Sequence, residues 1–135
     1  MRKTGSAVEQ DFYEILKSQT PLPEIITGSI YKRAMRPLDA QTEDAVISFV
    51  SGLDGQIQTG VFVVNIYVPD VVINGRSYQN SSRCRELEAA LDGIIEQIND
   101  SRYDLFLSNM IQTFQEEEFN HHFVNAKLKF RLLTD

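Results

Sequence analysis

From residue 84 to residue 98 the apolar side chains fall at Cys84, Leu87, Leu91, Ile94, Ile95 and Ile98, at steps of 3, 4, 3, 1 and 3. Only a helix gathers that spacing onto one face. Glu86, Glu88, Asp92 and Glu96 lie off the stripe. A stripe this long must be buried against something, so the rest of the chain has to offer a matching apolar surface. Ser81 or Ser82 is expected to cap the helix, and Asn99-Asp100-Ser101 to end it. A second helix is expected over 6–19. Ser6-Ala7-Val8-Glu9 reads as a capping box, Val8, Phe12, Ile15 and Leu16 share one face, and Pro21 forbids continuation.

The matching surface comes from strands. Val124, Ala126, Leu128, Phe130 and Leu132 alternate with Asn125, Lys127, Lys129 and Arg131 in a long run from Phe119 to Leu133. That period of two belongs to a strand with one buried face. Ala45–Ser51 and Gln56–Val68 flank the turn signal Gly52-Leu53-Asp54-Gly55, and they are expected to pair as an antiparallel hairpin. Phe62, Val64, Ile66 and Val68 form one face of the second strand. Val61, Val63 and Tyr67 form the other, which the sequence suggests is covered in part. Ser29–Arg33 reads as a short strand, followed by a loop with Pro37. Tyr103, Leu105 and Leu107 begin a further strand that continues through Met110–Phe114, with a reversal at Gln115-Glu116-Glu117-Glu118. Residues 69–80 read as a loop containing Asn74-Gly75. The order of elements implies an α+β fold: a mainly antiparallel sheet of about five strands, with two principal helices packed on one face.

The chain has 135 residues, 42% apolar and 24% charged, which suits one domain over residues 1–135. A lone cysteine, Cys84, excludes an internal disulfide framework and fits a reducing compartment. No apolar run has the length of a signal-peptide core or a membrane span; the longest is Val61-Phe62-Val63-Val64. The net charge of −6 argues against bulk nucleic-acid binding.

A search for chemistry returns little. His121 and His122 are adjacent, so in a strand they point to opposite faces and share an ion poorly. Cys84 sits on the apolar stripe, where a thiol is buried and unreactive. No nucleophile elbow or glycine-rich phosphate loop is present. The expectation is no enzyme, no catalytic residue, no metal, no cofactor and no small-molecule substrate.

Two surface features remain. Lys127, Lys129 and Arg131 stand in a row on one strand face. The plainer reading is that they guard an exposed edge strand against unwanted pairing. The sharper one is a positive stripe facing an acidic partner or a nucleic-acid backbone. The 69–80 segment carries Val71, Val72, Ile73 and Tyr78, more apolar bulk than a solvated loop needs. It either folds back over a sheet face or, together with the irregular 34–44 segment and the sheet edges, mediates self-association.

The order of elements also resembles the tail-completion, or tail terminator, proteins of long-tailed bacteriophages. The likeness rests on the first amphipathic helix, a Leu-Pro-rich connector running into Gly28-Ser29-Ile30-Tyr31, the loop with Pro37, the long hairpin, and a helix followed by a final hairpin; the Leu22–Tyr31 stretch and the Val124–Leu132 closing strand carry most of it. It covers nearly the whole chain as a pattern, without a specific signature. The resemblance implies a virion protein assembled in the bacterial host cytoplasm, forming a ring, typically a hexamer, at the head-tail junction. Its partners would be copies of itself, the tail tube and the head connector, with DNA backbone contact in a channel and no membrane. The other class that fits the residues is a non-catalytic host protein-binding module, an adaptor or an inhibitor.

Overall fold

The computed structural model describes residues 2–54, 57–116 and 120–133. In chain order the described elements are α1 (Gly5–Ser18), α2 (Leu22–Ile25), β1 (Ile30–Lys32), β2 (Asp44–Leu53), β3 (Thr59–Pro69), β4 (Val71–Ile73) and β5 (Arg76–Tyr78). They continue with α3 (Ser81–Gln97), β6 (Tyr103–Leu107), β7 (Gln112–Glu116) and β8 (His121–Leu132). Six strands form one sheet in the order β1-β2-β3-β8-β6, with β7 also on β8. Every pairing is antiparallel except β1 with β2. The α+β class and the mainly antiparallel sheet are therefore as the sequence implies.

Six strands stand where about five are expected because one edge strand is broken. Leu107 pairs with Leu128 and Gln112 with Asn125, so residues 108–111 stand against only residues 126 and 127 of β8. The surplus length is pushed out as a wide bulge. The Ser108 amide still donates to the Lys127 carbonyl at 2.8 Å, and Met110 is left 81% exposed.

One sheet face carries the core. Ala45, Ile47, Phe62, Val64, Ile66, Val68, Val124, Ala126, Leu128, Phe130 and Leu132 are buried there, and α1 and α3 lie across them. From α1 come Val8, Phe12, Ile15 and Leu16; from α3 come Cys84, Leu87, Leu91, Ile94 and Ile95. Both predicted stripes are thus the buried ones, with Ile98 only partly covered at the end of α3. Gly60 faces Phe130 across the strand pair, and a Cβ there would stand 2.6 Å from the ring. Glycine leaves the room that the Phe130 ring occupies against the backbone.

The caps differ from expectation. Thr4, not Ser6, caps α1, accepting from the Ala7 amide at 3.3 Å. Glu9 therefore has no capping box to close; its carboxylate accepts from the Phe49 amide at 3.0 Å and ties α1 to β2. Asn80 caps α3 ahead of Ser81 and Ser82. The turn end expected at Gly55 and Gln56, the reversal at Glu117 and Glu118, and the strand start at Phe119 lie outside the described residues.

Ion pairs pin the irregular segments to this frame. Asp44, 1% exposed, accepts from Arg36 Nε at 2.9 Å, the Thr42 hydroxyl at 2.9 Å and the Ser29 amide at 2.8 Å. Arg36 also lies 4.7 Å from the Tyr67 ring centroid, so the 33–43 loop folds onto one end of the sheet. Arg83 of α3 donates twice to Glu43, at 2.7 and 2.8 Å, and to the Ile25 carbonyl at 2.7 Å.

A further set of ion pairs joins Asp11 of α1 and Asp100 to Arg102, with Lys3 also on Asp11. Asp11 accepts from the Tyr103 hydroxyl and from Lys3 Nζ, both at 2.5 Å. Burial works to raise its carboxyl, but those hydrogen bonds and the charges of Lys3 and Arg102 outweigh it and leave it below the usual range. Asp100 is held well below that range by hydrogen bonds from the Arg102 guanidinium, then by the Arg102 amide and Gln19. A carboxylate depressed in the folded state contributes stability above its unfolded pKa, near 3.9, and loses it as pH falls towards the folded value. These two carboxylates should therefore make stability drop below about pH 4, on top of a shallower decline that begins below about pH 6.5, where the unfolded chain protonates His121 more readily than the folded one does. Chemical denaturation across pH should show the carboxylate slope shallower in Asp100→Asn; an unchanged slope would mean that Asp100 is not a source of it.

Candidate functional site

The 69–80 segment is not a loop. Asn74, with φ of 51°, and Gly75, with φ of 78°, adopt the left-handed conformations that a tight hairpin turn needs. The turn joins β4 to β5 in a separate two-stranded sheet that pairs Val71 with Tyr78, Val72 with Ser77 and Ile73 with Arg76. Residues 71–79 are all exposed: Val71 38%, Val72 68%, Ile73 56% and Tyr78 47%. The segment is an arm, and the alternative in which it folds back over a sheet face is wrong. Cross-strand pairing puts Val71, Ile73, Arg76 and Tyr78 on one side of the arm, and Val72 and Ser77 on the other. The root of the arm is fixed. His122 Nδ1 lies 2.7 Å from the Asp70 carboxylate, and the Asp70 amide donates to the Asn120 carbonyl at 3.0 Å.

The Asn-Gly signal was present in the sequence, preceded by Val71-Val72-Ile73 and followed by Arg76-Ser77-Tyr78. What hid the hairpin was its length, since strands of three residues carry almost no alternation.

The second feature is the sheet face away from the helices. It holds Val61, Val63, Asn65 and Tyr67 of β3 against Lys129, Lys127, Asn125 and Phe123 of β8. Tyr67, Phe123 and Phe114 form an aromatic row across three strands, at 5.6 and 5.8 Å between centroids. Asn125 donates to Asn65 at 2.7 Å in the next row. Arg36 and its loop cover only the Tyr67 end, so the valines are half-buried and Lys127, Lys129 and Arg131 are exposed. Asp104 on β6 pairs with Arg131, whereas Lys127 and Lys129 make no ion pair among the described residues.

The row does not guard an edge. β8 is paired on both sides, to β3 and to β6 and β7, so it lies inside the sheet. Its charges are carried on an open face, where they keep an otherwise apolar surface in water or meet a partner.

Apolar side chains are also exposed elsewhere. Met35 and Leu38 stand out from the 34–44 segment, at 64% and 80%. Phe106, Leu107 and Met110 surround the break in the edge strand, where a groove runs between that break and α3. Sequence reasoning missed this groove, because its signal, Ser108-Asn109 interrupting an apolar alternation, resembles an ordinary weak strand.

Cys84 is buried, and burial raises its thiol pKa. His121 is buried beneath the 33–43 loop while His122 turns to Asp70, so the two do not converge. Burial, with the Arg36 charge, lowers the His121 pKa. Among the described residues no group of three or more His, Cys, Asp or Glu is placed to hold a metal ion, and no helix is long and apolar enough to cross a membrane.

No protein-family model matches the chain, and no curated protein does. Fifteen chains of solved structures match. One, known only by a sequence identifier, superposes over 99% of this chain and 99% of its own, with a TM-score of 0.52 and 14% identity. At that identity the likeness concerns the fold alone.

Proposed function

We propose that this chain is a structural subunit of a phage or prophage, of the tail-completion or terminator type, and that it forms a ring at the head-tail junction. One observation carries the reading: the β4–β5 arm holds Val71, Val72, Ile73 and Tyr78 in water, with a fixed root and a formed turn. A solvated apolar hairpin of this kind is an interaction element awaiting a second surface. Its role is contact rather than catalysis. Copies of the chain supply the ring, the tail tube and head connector adjoin it, and in the Lys127, Lys129 and Arg131 row the two lysines, with Arg131 held by Asp104 beside them, face an acidic partner or a DNA backbone in the channel.

The test is solution mass by light scattering coupled to size exclusion. The wild-type chain should form a discrete closed oligomer. The Val72→Asp, Ile73→Asp double variant should keep the wild-type circular-dichroism spectrum and melting temperature, since both positions are exposed, yet run as a monomer. A variant that unfolds would place the arm in the core. A wild-type chain that stays monomeric at high concentration would favour the host binding module, adaptor or inhibitor, over a freely forming ring.

A further inference from the structure

We infer that the arm of one subunit seats in the groove between α3 and the broken edge strand of the next copy. This rests on the self-association reading and specifies which surfaces meet. The groove is lined by Leu107 and Ile111 from the break, with the protruding Met110 on that side and Ala89 of α3 opposite. Glu88 and Asp92 form its α3 wall, and Arg85 stands at the same rim. Glu88 is held in place by the Thr113 hydroxyl, which donates to it at 2.7 Å. The one side of the arm that is both apolar and charged carries Val71, Ile73 and Tyr78 with Arg76.

The two surfaces complement each other in kind. Ile73 and Tyr78 have the apolar Leu107 and Ile111 to cover, and the protruding Met110 is the side chain most able to reshape around them. Arg76 has Asp92, exposed on the outer side of α3, as a counter-ion. The arm of the same subunit does not fill this groove. It leaves the chain at Asn80, before α3 begins, while the groove lies beside Glu88–Asp92, two to three turns further along, and no arm residue lines it.

Arm and groove are different patches of the subunit, so their contact is head-to-tail. Such a contact propagates from copy to copy and closes into a ring when the rotation per subunit allows. The basic row on the open sheet face takes no part in it and stays available to another partner.

Single cysteines test the contact, because the native Cys84 is buried and its thiol is held protonated. Ile73→Cys and Met110→Cys are prepared separately, mixed, and oxidised under non-denaturing conditions. A covalent dimer should form in the mixture and not from either variant alone. The double variant should yield a ladder on a denaturing gel, ending at the ring number. Arg76→Asp should raise the concentration for half-assembly roughly tenfold, and Asp92→Arg in the same chain should restore it. If the chain associates but the mixture gives no cross-link, this contact is wrong and the ring reading survives. If the thiol introduced by Ile73→Cys also labels freely in that associating oligomer, the arm points to a different protein. If neither wild type nor variants associate, both readings fail together.

Discussion

Phe12→Ala is expected to lower the unfolding free energy by about 3–5 kcal/mol, the range for removing a buried aromatic side chain. Phe12 is 1% exposed and stacks on Phe62 at 4.0 Å between centroids, with Tyr103 at 4.5 Å and Phe130 at 5.7 Å. Those neighbours come from β3, β6 and β8, so a single ring of α1 holds the helix to three strands. Its loss opens a cavity between rigid rings that cannot collapse without moving the sheet. Urea denaturation should show the midpoint fall with the slope unchanged. A change below about 1 kcal/mol would mean that the aromatic cluster closes over the gap.

Asp44→Ala should be comparably severe, about 3–5 kcal/mol, for a different reason. The substitution leaves the Arg36 guanidinium, whose side chain is 12% exposed, without its counter-charge, and removes the acceptor of the Ser29 amide and the Thr42 hydroxyl. The damage is the burial of an unpaired charge. Replacing the partner as well, Arg36→Met with Asp44→Ala, should therefore recover a measurable part of the loss. If the double variant is as unstable as the sum of the singles, the pair is not coupled and the latch on the 33–43 loop has been misread.

These two sites also show what a sequence can and cannot carry. The Phe12 face and the Leu87–Ile95 stripe were legible because burial imposes a period, and a period is visible without coordinates. The closing strand was legible for the same reason. The Asp44–Arg36 and Glu43–Arg83 pairs were not, because charged residues 8 and 40 positions apart announce no partner. The caps were misplaced by one or two residues, since Thr4, Ser6, Asn80, Ser81 and Ser82 are all residue types competent to cap a helix. At the candidate site, the apolar excess of 71–78 was readable and the arm was not. The basic row was readable as a row, but whether β8 was an edge or an interior strand depends on topology, which alternation does not encode.

The central strand pair has a consequence for synthesis. β3 and β8 join Thr59 to Arg131 and Pro69 to His121, so the middle of the sheet is made from distant parts of the chain. While the polypeptide is emerging, β2 and β3 can form their hairpin, but the side chains of Phe62, Val64, Ile66 and Val68 have no complete floor to share until β8 arrives. Closing so long a loop before any contact rewards it is slow. A chain interrupted ahead of residue 121 would thus present a sticky hairpin without a sheet to enclose it, a natural substrate for chaperones and proteases.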